Sequence, residues 1–356
     1  MSEFTCNQEI VTVARRSLTQ DVWDYLTGGA EAEMTMRRNR HSIDSYAFIP
    51  RVLRDMSSID PSGTVLGQKV RIPVLLAPIG SLQAIYAGGG ASSAKAASRF
   101  GTMPIISSIT EPSLEDIAGA AEGPKVFQLY VRGDRDWIKA ILGRAKSAGY
   151  TSLALTVDSA YYGIRERQLM NRWLPPSVQA QTGRHLQSAI TWELMDYIRD
   201  LWQGSFMLKG VGSVADALMA VERGVDTLYI SNHGGRQLDH CLGALDTLAE
   251  IAPVVKGRAE LIVDGGFLRG TDVIKATALG ASSVAIGRLQ GWALAAGGED
   301  GLVRCLELIE REIINALGLL GVNNFSQLTP DYIRKTEVVG PTHELSTFYH
   351  LKERLT

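Results

Sequence analysis

The chain has 356 residues, of which 45% are hydrophobic and 21% are charged. A chain of this length buries a large core, and its length suits one elaborated barrel better than two small domains. Its 36 basic and 38 acidic residues leave a formal net charge of -2, without the long runs of like charge that mark nucleic-acid or membrane-surface binding. We therefore expect a globular enzyme whose partners are small molecules.

The three cysteines, Cys6, Cys241 and Cys305, are far apart and odd in number. This usage is typical of reduced thiols in the cytoplasm rather than of a disulfide framework, and none of the three has the spacing of a metal site. Residues 1–16 are too polar for a secretory signal, and no stretch reaches about 18 consecutive apolar residues. The sequence predicts a cytoplasmic protein without a membrane span.

Residues 1–65 are predicted to form helices that pack before the main fold, and we call them the cap segment. Within it, Val22, Trp23, Tyr25 and Leu26 have the spacing of one apolar helix face, and a glycine pair at 28 and 29 ends that helix.

From about residue 72 the chain repeats a strand-length apolar run, a polar or glycine-bearing loop and an amphipathic stretch of helix length. Eight such runs occur, at 72–77, 103–107, 125–130, 152–157, 206–209, 227–231, 261–264 and 283–287. Helices are predicted between them at 90–100, 113–121, 134–148, 213–223, 243–251 and 271–279. Eight parallel strands close into a (β/α)8 barrel. A doubly wound sheet is less favoured, because it usually has fewer strands and opens with a Gly-rich turn that is missing here.

We predict one α/β domain over 1–356, with the cap segment at 1–65, the barrel at 66–318 and a tail at 319–356. The longest insertion follows the fourth strand, from about 166 to 204, and contains a proline pair and a helix predicted at 192–202. Its place after a barrel strand predicts a lid over the site. The polar tail is expected to cover either a neighbouring subunit or its own barrel.

Barrel enzymes build their sites from the carboxyl ends of the strands, and polar residues or glycines stand at nearly all of these ends here. A single residue of this kind is most often structural. The set as a whole supplies cations, a carboxylate and an imidazole, which indicates an acid/base site for an anion. Glycines after strands seven and eight favour a phosphate grip, and so a phosphorylated cofactor, with tight turns as the structural alternative.

The segment SNHGGRQLD at 231–239 resembles the signature of the FMN-dependent 2-hydroxy-acid oxidase/dehydrogenase family, which includes glycolate oxidase, lactate oxidase and mandelate dehydrogenase. The resemblance extends through FQLY at 127–130, LTVD at 155–158, LKG at 208–210, DGG at 264–266 and IGR at 286–288, in matching order and spacing. It implies a barrel that binds FMN and oxidises an L-2-hydroxy acid to the 2-keto acid. It also implies a homo-oligomer, commonly a tetramer or a larger ring.

The resemblance implies a catalytic role for four residues. His233 removes a proton from the substrate, and Asp158 pairs with the imidazolium that results, which suits a side chain whose pKa lies near neutrality. Tyr130 hydrogen-bonds the substrate hydroxyl. Lys209 lies by the N1 and C2-oxygen edge of the flavin, where its charge stabilises the anionic reduced ring.

Substrate and cofactor contacts are implied in the same way. Arg165, Arg236 and Tyr25 bind the substrate carboxylate, the two guanidinium groups through paired charge-assisted hydrogen bonds. The implied cofactor-binding residues, besides Lys209, are Ala77, Pro78, Ile79, Ser107, Gln128, Thr156, Ser231, Asp264, Gly265, Gly266, Arg269, Gly287 and Arg288.

Two departures from the family pattern concern the cofactor. Leu268 stands where most members have an arginine that contacts the phosphate, and Arg269 is predicted to take over that contact. YAGGG at 86–90 replaces the family's His-Pro-x-Gly-Glu stretch and is expected to change the loop near the flavin.

A third departure concerns the substrate. Gly80 and Ile109 are smaller than the alanine and the bulky residue, such as tryptophan, that are typical of small-substrate oxidases. These changes predict a wider pocket walled by Tyr161 and Tyr162, and so a mandelate-like aromatic substrate.

The sequence does not predict which electron acceptor reoxidises the flavin. The alternatives are a 2-hydroxy-acid monooxygenase, a non-redox FMN barrel isomerase and a silent flavin-binding protein.

Overall fold

A computed structural model of the chain describes residues 4–179 and 186–351. Its strands are β1 (Tyr46–Phe48), β2 (Gly63–Val65), β3 (Gln68–Val70), β4 (Val74–Leu76), β5 (Ile105–Ser107), β6 (Val126–Leu129), β7 (Ser152–Thr156), β8 (Ser205–Val211), β9 (Thr227–Ile230), β10 (Glu260–Asp264), β11 (Ser283–Ile286) and β12 (Ile333–Lys335). Its helices are α1 (Asn7–Ser17), α2 (Gln20–Thr27), α3 (Met34–Asp44), α4 (Gly89–Phe100), α5 (Leu114–Gly119), α6 (Arg135–Ser147), α7 (Glu166–Met170), α8 (Pro176–Gln179), α9 (Trp192–Leu201), α10 (Val214–Glu222), α11 (Ala244–Val255), α12 (Gly270–Ala278) and α13 (Arg288–Leu320).

Strands β4 to β11 form one parallel sheet in the order β4-β11-β10-β9-β8-β7-β6-β5. The sheet closes where Leu76 bridges to Pro104 and the Leu76 amide donates a 3.1 Å hydrogen bond to the Met103 carbonyl. The predicted (β/α)8 barrel is therefore confirmed, and each of the eight predicted runs overlaps one barrel strand.

The barrel strands carry two packing surfaces because successive side chains of a strand point to opposite faces. Side chains such as Leu75, Met207 and Ile262 fill the barrel interior. Their neighbours, among them Leu76, Leu208 and Val263, pack outward against the ring of helices. The outer helices begin where the caps predict. Ser113, Asp134 and Ser213 each accept a hydrogen bond from the backbone N–H three residues further on.

The cap segment places one of its helices directly against the mouth of the barrel. Helix α2 buries Trp23, Tyr25 and Leu26 and ends at Gly28, as the apolar spacing predicts. The tail returns to this segment, because β12 pairs antiparallel with β1, with Tyr46 opposite Lys335. In the described residues the tail thus covers its own chain. None of the described helices combines the length and the apolar content that crossing a membrane requires.

Candidate active site

The carboxyl ends of the barrel strands, the end of α2 and the insertion after β7 enclose one cleft with an empty volume of about 1590 Å³, including open solvent at its mouth. It is lined by every predicted substrate residue and by most of the predicted catalytic and cofactor residues: Tyr25, Gly80, Ile109, Tyr130, Tyr162, Arg165, Arg236, Lys209, His233, Ala77, Pro78, Ile79, Asp264, Gly265, Gly266, Gly287 and Arg288. Asp158 lies behind His233. Ser107, Gln128, Thr156 and Ser231 lie on or next to the strand ends without lining the cleft.

Three side chains, which we call the base cluster, form a hydrogen-bonded chain in this cleft. His233 Nδ1 lies 3.0 Å from Asp158 Oδ1, and His233 Nε2 lies 3.2 Å from the Tyr130 hydroxyl. His233 follows strand β9 in a left-handed conformation with φ +59°, and its amide donates to Ser231 Oγ at 3.0 Å. Asp158 favours the proton of the neutral ring on Nδ1, so the Nε2 lone pair faces the Tyr130 hydroxyl and can accept its hydrogen bond.

Burial and charge set the pKa values of the base cluster. Burial lowers the pKa of His233 below 6.5, and the opposing effect of Asp158 does not restore it. Burial alone would raise the pKa of Asp158, but Lys209 and then His233 outweigh it and hold that pKa below its ordinary value. Burial, followed by the charge of Asp158, raises the pKa of Tyr130 well above its ordinary range. At neutral pH the cluster contains a neutral imidazole, a carboxylate and a phenol.

A second hydrogen-bond network extends from the base cluster into the barrel. The Lys209 ammonium donates to Ser231 Oγ at 3.2 Å and lies 4.0 Å from Asp158 Oδ2. Ser231 Oγ in turn donates to Asp264 Oδ1 at 2.6 Å, and the Tyr229 hydroxyl donates to Asp264 Oδ2 at 2.9 Å. The buried Lys209 therefore lies near the Asp158 carboxylate and is linked through Ser231 to the Asp264 carboxylate, which compensates for the cost of burying its charge.

Three arginines that we call the arginine cluster, Arg165, Arg236 and Arg288, line the cleft beside the base cluster. Within residues 4–179 and 186–351 none of them forms an ion pair with a carboxylate. Burial, and then repulsion from Arg165 and Arg288, lowers the pKa of Arg236 to about 9. Burial also lowers the pKa of Arg288 to about 10. Such groups favour an anionic ligand, which would stabilise their charge.

Backbone carbonyls and amide side chains hold the arginine cluster in place. Arg236 donates to the Gly28 carbonyl at 2.8 Å, and Arg288 donates to the carbonyls of Thr27 and Gly234 at 2.9 Å each. Because Gly28 and Thr27 belong to the end of α2, the cap segment orients two of the three guanidinium groups.

Gln237 holds the third guanidinium and was missed by sequence reasoning. Its side-chain oxygen accepts a hydrogen bond from Arg165 at 3.2 Å, and its amide nitrogen donates to the Tyr161 carbonyl at 2.9 Å. Arg165 also lies over the Tyr162 ring, 4.1 Å from its centroid. The sequence signal for Gln237 was its place in the SNHGGRQLD segment, directly after Arg236.

The glycines after β10 lie at the other end of the cleft, where a phosphate was predicted. Gly265 and Gly266 have φ values of +102° and +86°. A Cβ atom on Gly265 would lie 2.9 Å from the Asn39 side chain, so this turn needs glycine for its backbone conformation and for the approach of α3. These glycines make a tight turn and also line the cleft. Gly287 leads into α13, whose first residue is Arg288.

The structure directs Arg269 away from this end of the cleft, contrary to its predicted contact with a phosphate. Its guanidinium pairs with Glu312 at 2.8 Å and lies over the Phe348 ring, 5.9 Å from the centroid. Arg269 is the N-cap residue of α12 and does not line the cleft, whereas the buried Leu268 does.

The structure also corrects the predicted effect of Gly80. A Cβ atom there would lie 2.7 Å from Ile109 Cδ1, so Ile109 fills the space that the missing methyl group leaves. Gly80 therefore accommodates Ile109 instead of widening the pocket, and its carbonyl accepts a 2.5 Å hydrogen bond from the Tyr25 hydroxyl. Residues 86–90 likewise do not line the cleft, and a Cβ atom on Gly89 would overlap the Glu111 carbonyl.

The insertion after β7 covers one side of the cleft through two anchor points, with residues 180–185 of the predicted lid lying outside the described residues. Ser177 in α8 hydrogen-bonds Ser81, with an Oγ–Oγ distance of 2.6 Å, and its amide donates to Ser81 Oγ at 2.8 Å. Gln187 Oε1 accepts from the Val131 amide at 2.8 Å. The described part of the insertion is thus tied to the loops after β4 and β6.

The site contains the groups that a phosphorylated flavin requires. Gln128 is buried, and its amide nitrogen donates to Thr156 Oγ1 at 2.8 Å, while its Oε1 has no partner among the described residues. An unpaired buried acceptor at the barrel mouth costs free energy unless a ligand N–H reaches it. Together with Lys209, Arg288 and the glycine turn, it fits a ligand with a polar ring edge and an anionic end.

Comparisons with known proteins agree with this site. Residues 14–335 match a family described as FMN-dependent dehydrogenase. The chain is 36% identical to an L-lactate oxidase of a Nostoc species, with 91% of this chain and 96% of that one covered, and 35% identical to glycolate oxidase 1 of rice, with 94% and 96% covered. A soluble mutant of the membrane-associated (S)-mandelate dehydrogenase of Pseudomonas putida superimposes with a TM-score of 0.89, at 34% identity, over 94% of this chain and 100% of that one.

Proposed function

Because the chain belongs to the family of FMN-dependent 2-hydroxy-acid oxidases and dehydrogenases, we propose that it oxidises a bulky or aromatic L-2-hydroxy acid, of the mandelate type, to the 2-keto acid. The family makes the chain an FMN enzyme acting on CH–OH donors, and the choice of substrate and the residue roles are our proposal. The observation that carries these roles is a partly buried neutral imidazole beside the buried Arg165 and the partly buried Arg236, which have no carboxylate partners among the described residues, in one cleft.

In the proposed reaction His233 is the base. Oxidation of CH–OH to C=O removes two protons and two electrons from the substrate, and His233 Nε2 accepts one of the protons. Asp158 then stabilises the positive imidazolium through its 3.0 Å contact with Nδ1. Tyr130, 3.2 Å from Nε2, remains a phenol across the working pH range and is placed to hydrogen-bond the substrate hydroxyl.

Arg165, Arg236 and Tyr25 are the proposed carboxylate site. Two guanidinium groups accommodate a planar carboxylate through paired hydrogen bonds, and the carboxylate would relieve the repulsion between them. Tyr25 lies against this pair, with its ring 5.2 Å from the Arg236 guanidinium carbon. The carboxylate would thereby be held beside Nε2 of His233, which lowers the entropic cost of proton transfer.

The residues that would hold the cofactor are Lys209, the 77–79 backbone, Ser107, Gln128, Thr156, Ser231, Asp264, Gly265, Gly266, Gly287 and Arg288. When bound, FMN would take up the two electrons and the second proton that the substrate loses. Lys209 supplies a buried positive charge that favours electron acceptance. Arg288 and the backbone at 265–266 and 287 are the proposed phosphate contacts.

The preference for a large substrate is supported by the walls that remain after the correction at Gly80. Ile109, Tyr161 and Tyr162 line the cleft together with Pro175 and Val178 of the insertion, which gives an apolar and aromatic rim. Structures of mandelate oxidase superimpose with a TM-score of 0.88 at 33% identity. Lactate and glycolate oxidases are similarly close relatives, so substrate size is the feature to test.

We also propose that the enzyme works in the cytoplasm as a homo-oligomer. The described cysteines, Cys6, Cys241 and Cys305, are free thiols, which suits a reducing compartment. Sedimentation of the purified protein would test the assembly.

The test of the proposed function is anaerobic flavin reduction. The FMN-loaded protein is mixed with (S)-mandelate, L-lactate or glycolate, and the flavin absorbance is followed in time. We expect bleaching that is fastest with (S)-mandelate, and admission of air afterwards separates an oxidase from a dehydrogenase that uses another acceptor. A bound flavin that none of these acids reduces would contradict the proposal and favour the isomerase or the silent flavoprotein.

A further inference from the structure

One cation on the cleft wall is not used by the proposed reaction. Arg132 lies two residues after Tyr130, beyond the end of β6, and lines the same cleft as His233 and Arg165. Its Nη2 donates to the Ser177 carbonyl at 2.9 Å, and within residues 4–179 and 186–351 it forms no ion pair with a carboxylate. A guanidinium has five N–H donors, so most of the donors of Arg132 are left for water or a ligand.

Arg132 is an exposed residue by surface area, but its guanidinium borders the cleft. Partial desolvation of its charge lowers the pKa of Arg132, and Tyr130 opposes this shift. The Tyr130 hydroxyl in turn lies 3.2 Å from His233 Nε2. The guanidinium is therefore partly desolvated and electrostatically close to the reacting end of the cleft, without an acidic side chain to balance it.

Neither the substrate carboxylate nor the cofactor phosphate is proposed to bind Arg132. Arg165 and Arg236 would share the substrate carboxylate, and Arg288 would meet the cofactor phosphate. Lys209 already lies between Asp158 and Ser231. No anion in this scheme is assigned to Arg132.

Arg132 lies at the end of the cleft that would receive the substrate side chain. It contacts Ser177 of the insertion, whose Oγ would be 3.7 Å from a Cβ atom on Gly80, next to Ile109. The carboxylate site is built instead by Tyr25, Arg165 and Arg236. A substrate whose carboxylate binds there would direct its side chain towards Ile109 and the insertion, and so towards Arg132.

We propose that Arg132 forms a second anion subsite, so that the preferred substrate is an L-2-hydroxy acid with an additional anionic group at the far end of its side chain. This inference rests on the proposed function and narrows it. A para-carboxyl group on a mandelate ring has the required charge and lies opposite the hydroxy-acid end. Because Arg132 is partly open to solvent, its attraction to that group would weaken as salt is added.

The competing role for Arg132 is purely structural, namely a latch that holds α8 through the Ser177 carbonyl. A latch would affect all substrates alike, because it has no preference for the charge of the side chain. A recognition site would affect only substrates with the second anion. The ratio of specificity between a charged substrate and a neutral one of the same shape therefore separates the two roles.

The experiment measures anaerobic flavin reduction by the FMN-loaded enzyme with (S)-4-carboxymandelate and with (S)-4-isopropylmandelate, in which an isopropyl group replaces the carboxylate. We expect the natural enzyme to prefer the carboxylate by about tenfold in kcat/KM, the size of one charge-assisted hydrogen bond. Arg132→Met and Arg132→Gln should abolish that preference and leave (S)-mandelate oxidation within about twofold. Arg135→Met is the matched control, since Arg135 lies over the Tyr197 ring and does not line the cleft.

Each outcome of the experiment decides whether Arg132 forms a second anion subsite or only a structural latch. Loss of the preference in both Arg132 variants, with its retention in Arg135→Met, supports the second subsite. A natural enzyme that prefers the isopropyl compound, or Arg132 variants that slow both acids equally, overturns it while leaving the proposed function intact. A flavin that neither compound nor (S)-mandelate reduces overturns the proposed function itself, and the subsite with it.

Discussion

The base cluster and the arginine cluster share one cleft but compensate their charges in opposite ways. In the base cluster, Asp158 is paired with His233 and lies 4.0 Å from Lys209, so the protein itself supplies each partner. In the arginine cluster, Arg236 and Arg288 are partly buried against backbone carbonyls, and burial together with neighbouring arginines lowers the pKa of each. We infer that the base cluster, whose charges are already paired, acts in the reaction, whereas the arginine cluster, whose charges are not paired, binds an anionic ligand.

Removing the base should produce the largest effect. For His233→Gln we expect flavin reduction to slow by about 10²- to 10⁴-fold, because glutamine retains hydrogen bonding but cannot accept the proton. FMN should still bind, since Lys209 and Arg288 are unchanged. Stopped-flow absorbance gives the rate, and a titration of the apoprotein with FMN gives the affinity. A rate within tenfold of the natural enzyme would exclude His233 as the base.

Removing Arg236, one of the two proposed carboxylate-binding arginines, should act mainly on substrate affinity. Arg236→Met is expected to raise KM for the 2-hydroxy acid by about 10- to 100-fold, the effect of losing a buried charge-assisted hydrogen bond. Arg236→Lys should recover only part of the loss, because an ammonium cannot make the paired contacts of a guanidinium. If KM stayed constant while kcat alone fell, the carboxylate would have to bind elsewhere.

The pH dependence of kcat/KM sharpens the same comparison. His233 must be neutral to act, and burial holds its pKa below 6.5. Activity should therefore be constant just above pH 6.5 and fall about tenfold per pH unit once the pH drops below the pKa of His233. Asp158→Asn removes a charge that raises this pKa, so the acidic limb should move to still lower pH while the plateau falls. An acidic limb centred above pH 6.5 would contradict the structure.

The smallest effects are expected at the phosphate end of the cleft. Leu268→Arg should tighten FMN binding by about fivefold, since a cation would be added beside the proposed phosphate contacts. Arg269→Met should change the affinity by less than about twofold, because Arg269 pairs with Glu312 outside the cleft. Fluorescence titration of the apoprotein measures both. If Arg269→Met bound FMN more than about twofold more weakly than the natural protein does, Arg269 would be a cofactor contact after all.

Sequence reasoning located the strands well because a buried parallel strand leaves a strong local signal. The run at 152–157 became β7 (Ser152–Thr156), and the run at 227–231 became β9 (Thr227–Ile230). The site residues followed from the same signal, since the carboxyl end of every barrel strand faces one cleft. His233, Asp158 and Tyr130 come from different strand ends and nevertheless lie within hydrogen-bonding distance.

Side-chain direction at the edges of these elements was not predictable in the same way. Leu268 and Arg269 are adjacent in sequence, but one lines the cleft and the other is the N-cap residue of α12 and pairs with Glu312, far along α13. Likewise, the space that glycine leaves at position 80 depended on Ile109, a residue of another loop.

The barrel, the family and the types of chemical group at each strand end could be predicted from the sequence, because periodicity and short motifs are local properties of the chain. The pairing of charges could not be predicted in this way. Whether an arginine meets a carboxylate, a carbonyl or an open cleft depends on contacts between residues far apart in sequence. Arg236 with Gly28, Arg165 with Gln237 and Arg132 with Ser177 are contacts of this kind, and they determine what the cleft is able to bind.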